Sequence, residues 1–133
     1  MSMGRVLVVD DEPDILELVR LNLELEGHDV LVAADGPTGL DILRRELPDL
    51  VVLDVMMPAM DGWEVLQQIK SDPEAGVSEV PVIMLTAKVD DLDRVRGGIE
   101  GAIRYITKPF ELADLRSAVK EGLEGDPEPV QRR

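Results

Sequence analysis

The chain has 133 residues, the length of one domain, and its 44% hydrophobic content suffices for a single buried core. Acids outnumber bases 28 to 14, a net charge of −14, which sets the chain against a phosphate backbone and excludes nucleic acid as a direct partner. With no cysteine and one histidine, His28, it has no means of building disulfides, thiolate zinc sites, cysteine nucleophiles or multi-histidine metal sites.

Two hydrophobic rhythms alternate along the chain. Val6 to Val9 is a β-branched run ending abruptly in acid, the pattern of a strand covered on both faces. A helix follows, opened by Pro13 at a first-turn position, carrying Ile15, Leu16, Leu18, Val19, Leu21, Leu23 and Leu25, and closed by Gly27. Val30–Ala34 predicts a second strand, and Leu40, Ile42, Leu43 and Leu47 a second helix stopped by Pro48. Leu50–Leu53 predicts a third strand, again ending in acid at Asp54. A turn-rich segment, Met57-Pro58-Ala59-Met60-Asp61-Gly62, leads into a third helix with Val65, Leu66 and Ile69. Pro81–Leu85 predicts a fourth strand that Thr86 ends, followed by a fourth helix from about Asp90, a short strand at Tyr105-Ile106 and a last helix near Glu111. Gly97-Gly98 weakens the fourth helix, because each glycine costs about 1 kcal/mol relative to alanine; local softness is expected over residues 94–102. Since aromatics are only 2% of the chain, the core is expected to be aliphatic, with Trp63 as a packing residue and Met56, Met57 and Met60 as gap fillers. His28, next to the turn at Gly27, is expected to face solvent.

Strands alternating with helices imply βαβ units with right-handed crossovers. The expected fold is therefore α/β: a single doubly wound (βα)5 domain with a five-stranded parallel sheet in the flavodoxin-like order 2-1-3-4-5. It is expected to span residues 4–123, with 124–133, rich in proline and charge, as a flexible tail or linker stub. Apolar runs fall far short of the ~20 residues of a membrane helix. The acids following the first short run are unlike a signal peptide, so a cytoplasmic location is expected.

In such sheets ligands bind beyond the carboxyl ends of the strands, which directs attention to Asp10, Asp11, Asp54, Thr86 and Lys108. Taken singly, each has an ordinary explanation: Asp10-Asp11 as helix-capping acids, Thr86 as a strand-end hydroxyl satisfying a turn, Lys108 as a surface lysine. Taken together they place three carboxylates, a hydroxyl and an ammonium on one edge. Clustered carboxylates repel unless a cation neutralises them, and oxygen ligands without histidine or cysteine select magnesium over zinc. The Lys108-Pro109 bond is a candidate for the cis isomer.

The motifs Asp10-Asp11-Glu12-Pro13, Asp54-Val55-Met56-Met57-Pro58-Ala59-Met60-Asp61-Gly62, Thr86-Ala87 and Tyr105-Ile106-Thr107-Lys108-Pro109-Phe110, in this order, resemble the receiver domains of two-component response regulators, chemotaxis regulators included. The resemblance implies a phosphoacceptor signalling domain and not a turnover enzyme. It implies that Asp54 takes a phosphoryl group from the phosphohistidine of a sensor histidine kinase or phosphotransfer protein. It implies Mg2+, with Mn2+ as a substitute, held by Asp11, Asp54 and the backbone carbonyl of Met56, with Asp10 acting through water. It makes Lys108 the neutralising cation and Thr86 and Tyr105 the switch pair. These would alter the surface of the fourth helix, fifth strand and last helix toward a downstream target or effector domain, in a monomer or a phosphorylation-dependent dimer.

Three features depart from the family or refine the expectation. Ile103-Arg104 stands where many relatives carry two aspartates of a dimer face, which puts that dimer mode in doubt; Ile103 reads either as part of a partner patch or as a core residue. Met56 and Lys88, two past Asp54 and Thr86, are long side chains where the family tunes water access, implying a phosphorylated state that is not short-lived. An aspartate-nucleophile phosphatase is the first alternative, but such enzymes place an acid where this chain has Met56. A binding-only pseudo-receiver is the second, and the intact set of five residues argues against it.

Overall fold

The computed structural model describes residues 4–86 and 102–124. The expected fourth helix with Gly97-Gly98, the expected softness before Ala102, Lys88 and the tail from 125 on lie outside the described residues.

The strands are β1 (Arg5–Val9), β2 (Asp29–Ala33), β3 (Leu50–Asp54), β4 (Val82–Thr86) and β5 (Arg104–Thr107). They form one parallel sheet in the order β2-β1-β3-β4-β5, as expected. Between them lie α1 (Pro13–Leu25), α2 (Gly36–Glu46), α3 (Gly62–Lys70), a short 3-10 turn at Val77–Glu79 that the sequence did not announce, and, after β5, a C-terminal helix (Leu112–Leu123). Side chains along a strand alternate between faces, and this divides the aliphatic runs into two cores. Leu7, Val9, Val51, Leu53, Val82 and Met84 face α2 and α3. Val6, Val8, Leu50, Val52, Ile83 and Leu85 face α1 and the C-terminal helix. All five residues of β3 and of β4 are buried, which is why these runs carry no polar alternation.

Two helices start with side-chain caps. Asp35 accepts from the Thr38 backbone N–H at 2.8 Å, and Asp61 and Glu64 form a reciprocal capping box at the head of α3. α1 ends in a Schellman arrangement: His28 N–H donates to Leu23 O and Gly27, at φ 96°, donates to Glu24 O. That reversal corrects the expectation for His28. The residue after the glycine turns back toward the helix, and His28 is only 7% exposed. Met57 is buried and Met60 packs on the core, but Met56 is 46% exposed and fills no gap. Trp63 is buried, while Ile103 lies at the margin, 36% exposed, beside Gly122 of the C-terminal helix. Among the described residues no helix is long and apolar enough to cross a membrane.

Candidate functional site

A parallel sheet gathers the ends of all its strands at one edge, and the ladder here runs past those ends. Asp10 N–H donates to Ala33 O (3.1 Å), Val55 N–H to Leu85 O (2.9 Å) and Lys108 N–H to Thr86 O (2.7 Å). The backbones bearing the polar side chains are therefore held by the same bonds that hold the sheet. Beyond β3 the chain folds back tightly: Gly62 N–H donates to Val55 O at 2.9 Å, and a Cβ at Gly62 would stand 2.4 Å from the carbonyl oxygen of Asp54. Only glycine permits that approach. The Lys108–Pro109 peptide is cis, as anticipated.

Asp10 and Asp54 are 0% and 1% exposed, and Lys108 reaches in from β5 to meet both. Its Nζ lies 3.0 Å from Asp54 Oδ1, 3.4 Å from Asp10 Oδ2 and 3.5 Å from Glu12 Oε1. The contact with Asp54 is an ion pair without hydrogen-bond geometry: neither Asp54 oxygen receives a hydrogen bond from the described residues. A buried carboxylate in that condition is costly. Burial, then the neighbouring Asp10, push the Asp54 carboxyl up to about 6. Burial likewise raises Asp10, against the opposing pull of the Glu12 N–H and Lys108. For Lys108, burial works against its charge, but the pairing with Asp54 and Asp10 outweighs it and its pKa is raised.

One oxygen each from Asp10, Glu12 and Asp54 lie within 4.8 Å of one another. Carboxylate oxygens at this spacing, those of Asp54 buried and without hydrogen bonds from the described residues, suit a hard divalent cation. The donor set therefore fits magnesium. Asp11, named from the sequence as a direct ligand, is half-buried and stands outside this group. Glu12, which sequence reasoning passed over, stands inside it. The available signal was the period of two in extended chain, which gives alternate residues a common side; Glu12 is extended, at φ −89° and ψ 111°. Thr86 is buried at the end of β4. Met56 follows β3 by two residues. Tyr105 is paired in register with Met84 on the α3 side of the sheet and meets Trp63 with ring centroids 6.1 Å apart. The structure thus brings Asp10, Asp54 and Lys108 together, with Thr86 on the same edge and Tyr105 two residues inside β5.

A family model described as "Response regulator receiver domain" matches residues 6–120. This chain belongs to the response regulator receiver domains. It is 43% identical over 123 residues to the "Probable transcriptional regulator ycf27" of Porphyridium aerugineum, covering 92% of this chain and 49% of that protein. The chain thus spans about half the length of that curated relative. Among solved structures, the signal receiver domain of a signal transduction histidine kinase from Syntrophus aciditrophicus is 33% identical at a TM-score of 0.82, covering 98% of this chain and 97% of that one. The receiver domain of Francisella response regulator 1452 is 30% identical at a TM-score of 0.82, covering 92% and 98%. Receiver domains are signalling domains of two-component systems that work with histidine kinases and effectors and bind Mg2+ at an acidic pocket.

Proposed function

We propose that this receiver domain is a magnesium-dependent phosphoacceptor whose nucleophile is Asp54. The observation that carries the reading is the condition of Asp54: buried, without hydrogen bonds that meet strict geometry from the described residues, and paired with the Lys108 ammonium. An aspartate is a weak nucleophile, and phosphoryl transfer depends on positioning and charge neutralisation more than on activation of the attacking oxygen. The ladder bonds and the Gly62 approach supply the positioning. Lys108 supplies one neutralising charge, and the Thr86 hydroxyl and backbone N–H groups of the loop after β3 are the donors for the incoming phosphoryl oxygens.

When bound, magnesium supplies charge neutralisation of those oxygens. Asp54 and Asp10 are the acids set to hold it, with the Met56 carbonyl as a backbone ligand and Asp11 as the further carboxylate that family likeness assigns. In the transfer, an Asp54 oxygen bonds to phosphorus as the phosphorus–nitrogen bond of a phosphohistidine breaks and the imidazole leaves. The acyl phosphate adds nearly two charges to the sheet edge. Thr86 turning toward it and Tyr105 following would change the surface around β5 and the C-terminal helix, where a downstream protein or effector domain docks. Exposed Met56 beside the nucleophile obstructs water, so the phosphorylated state is expected to outlast seconds.

The test is acetyl phosphate with magnesium, followed by intact mass. A single base-labile phosphoryl adduct in the wild type, absent from Asp54→Asn, is the expected result. Steady donor consumption at catalytic rates without an accumulating adduct would replace this reading by a phosphatase.

A further inference from the structure

We propose that Glu12 is an additional carboxylate of the cation site, beyond those assigned above, and raises its affinity for a divalent ion from the solvent rim. Glu12 occupies the N-cap of α1, but its side chain makes no capping hydrogen bond there. Aspartate, asparagine, serine and threonine suit a cap because their oxygens are close enough to reach the first-turn N–H groups. The longer glutamate extends instead to the strand-end edge, where Oε1 comes within 3.5 Å of Lys108 Nζ. Its own N–H donates to Asp10 Oδ1 at 2.9 Å, so the backbone of Glu12 orients one acid of the site while its side chain contributes another.

An acidic group on a surface needs a reason to be called a site, and Asp54 provides it. Its carboxylate, 1% exposed and unserved by hydrogen bonds from the described residues, shares with Asp10 and Glu12 a set of oxygens within 4.8 Å. That span matches the oxygen shell of one divalent ion, about 4–5 Å across. The single ammonium of Lys108 is divided among all three acids. Three carboxylates against one ammonium leave a surplus of negative charge that a divalent cation relieves. The division of labour follows from exposure: Asp10 and Asp54 are buried, whereas the Glu12 side chain is 61% exposed. A rim acid keeps its water, which suits magnesium, an ion that sheds its hydration reluctantly. The inference rests on the proposed divalent ion but not on phosphoryl transfer.

Isothermal titration of MgCl2 into the metal-free full chain at fixed ionic strength tests it. Glu12→Gln removes the charge and keeps the shape, and is expected to weaken magnesium binding about tenfold. Glu12→Asp, which keeps the charge on a shorter arm, should lose less. Asp14→Asn neutralises an exposed acid in the first turn of α1 outside the group and should stay within about twofold of wild type. Glu12→Gln within twofold of wild type overturns the proposal, as does an equal loss in Asp14→Asn, which would mark a general effect of surface charge. A wild type that binds no magnesium overturns it as well. The acetyl phosphate assay, run in parallel on wild type, separates the two readings. No adduct together with weakened binding in Glu12→Gln defeats the phosphoacceptor and upholds Glu12; an adduct together with unchanged binding does the reverse.

Discussion

Ala59 sits at φ 67° in the loop after β3, a conformation in which a Cβ crowds the following carbonyl. Replacing it with glycine should raise stability by about 1 kcal/mol, read as a higher midpoint in chemical denaturation with an unchanged slope. Asp54 makes a second prediction. In metal-free buffer its pKa of about 6 exceeds the ordinary 3.8 of an unfolded chain, so the folded state holds that proton more tightly. Its contribution to stability is complete below about pH 4 and is lost as the pH rises through about 6. Asp54→Asn should therefore match wild type near pH 4 and exceed it by roughly 1–3 kcal/mol at pH 7. A gap that does not widen with pH would contradict the carboxylate's burial cost. At this scale the sequence was partly legible. Asp10, Asp54 and Lys108 stood out because each follows a strand run. His28 and Glu12 did not, since the direction of a side chain in a turn depends on local dihedrals that composition does not encode.

Among the elements, α3 depends on its first two residues. Asp61 closes a capping box with Glu64, and Asp61→Ala should cost about 1 kcal/mol. The next residue is less forgiving. At Gly62 a Cβ would lie 2.4 Å from Asp54 O and 2.7 Å from Val55 Cα, both backbone atoms that cannot swing aside. Gly62→Ala should destabilise by about 2–3 kcal/mol and, by displacing the end of β3, weaken magnesium binding too. Paired denaturation and calorimetry on the two variants distinguish them: loss of the cap should leave magnesium affinity near wild type. The strands were readable from their continuous aliphatic runs and the helices from their periodicity, with boundaries off by a residue or so. The turn at Val77–Glu79 went unannounced, as three residues are too few for a period. It is steadied from outside by Lys70, whose Nζ donates to Ser78 O and Val80 O, a tertiary contact with no local signature.

For the whole molecule, the ion and the fold are linked. A cation bound only by the folded state adds about 2.7 kcal/mol at a hundred times its dissociation constant. Magnesium should therefore raise the thermal midpoint by several degrees; chelation should reverse the shift, and Asp54→Asn should lose most of it. A midpoint indifferent to magnesium would argue against an ion at this edge. The amino-acid sequence alone determined the class of the molecule. The β-branched and aliphatic runs of β1, β3 and β4 leave no polar face, so those strands have to be covered on both sides, and the helices between the strands then enforce parallel pairing with the ends together. What only the tertiary structure decided is which acids meet. Lys108 and Asp10 are 98 residues apart, and their contact exists because the sheet is ordered β2-β1-β3-β4-β5. The entry of Glu12 into the group without Asp11 follows from extended backbone at one residue, and the exposure of Met56 and burial of His28 from how two turns close. Long-range pairing and turn geometry are collective outcomes of packing, whereas hydrophobic rhythm is local, and a linear reading has access only to the second.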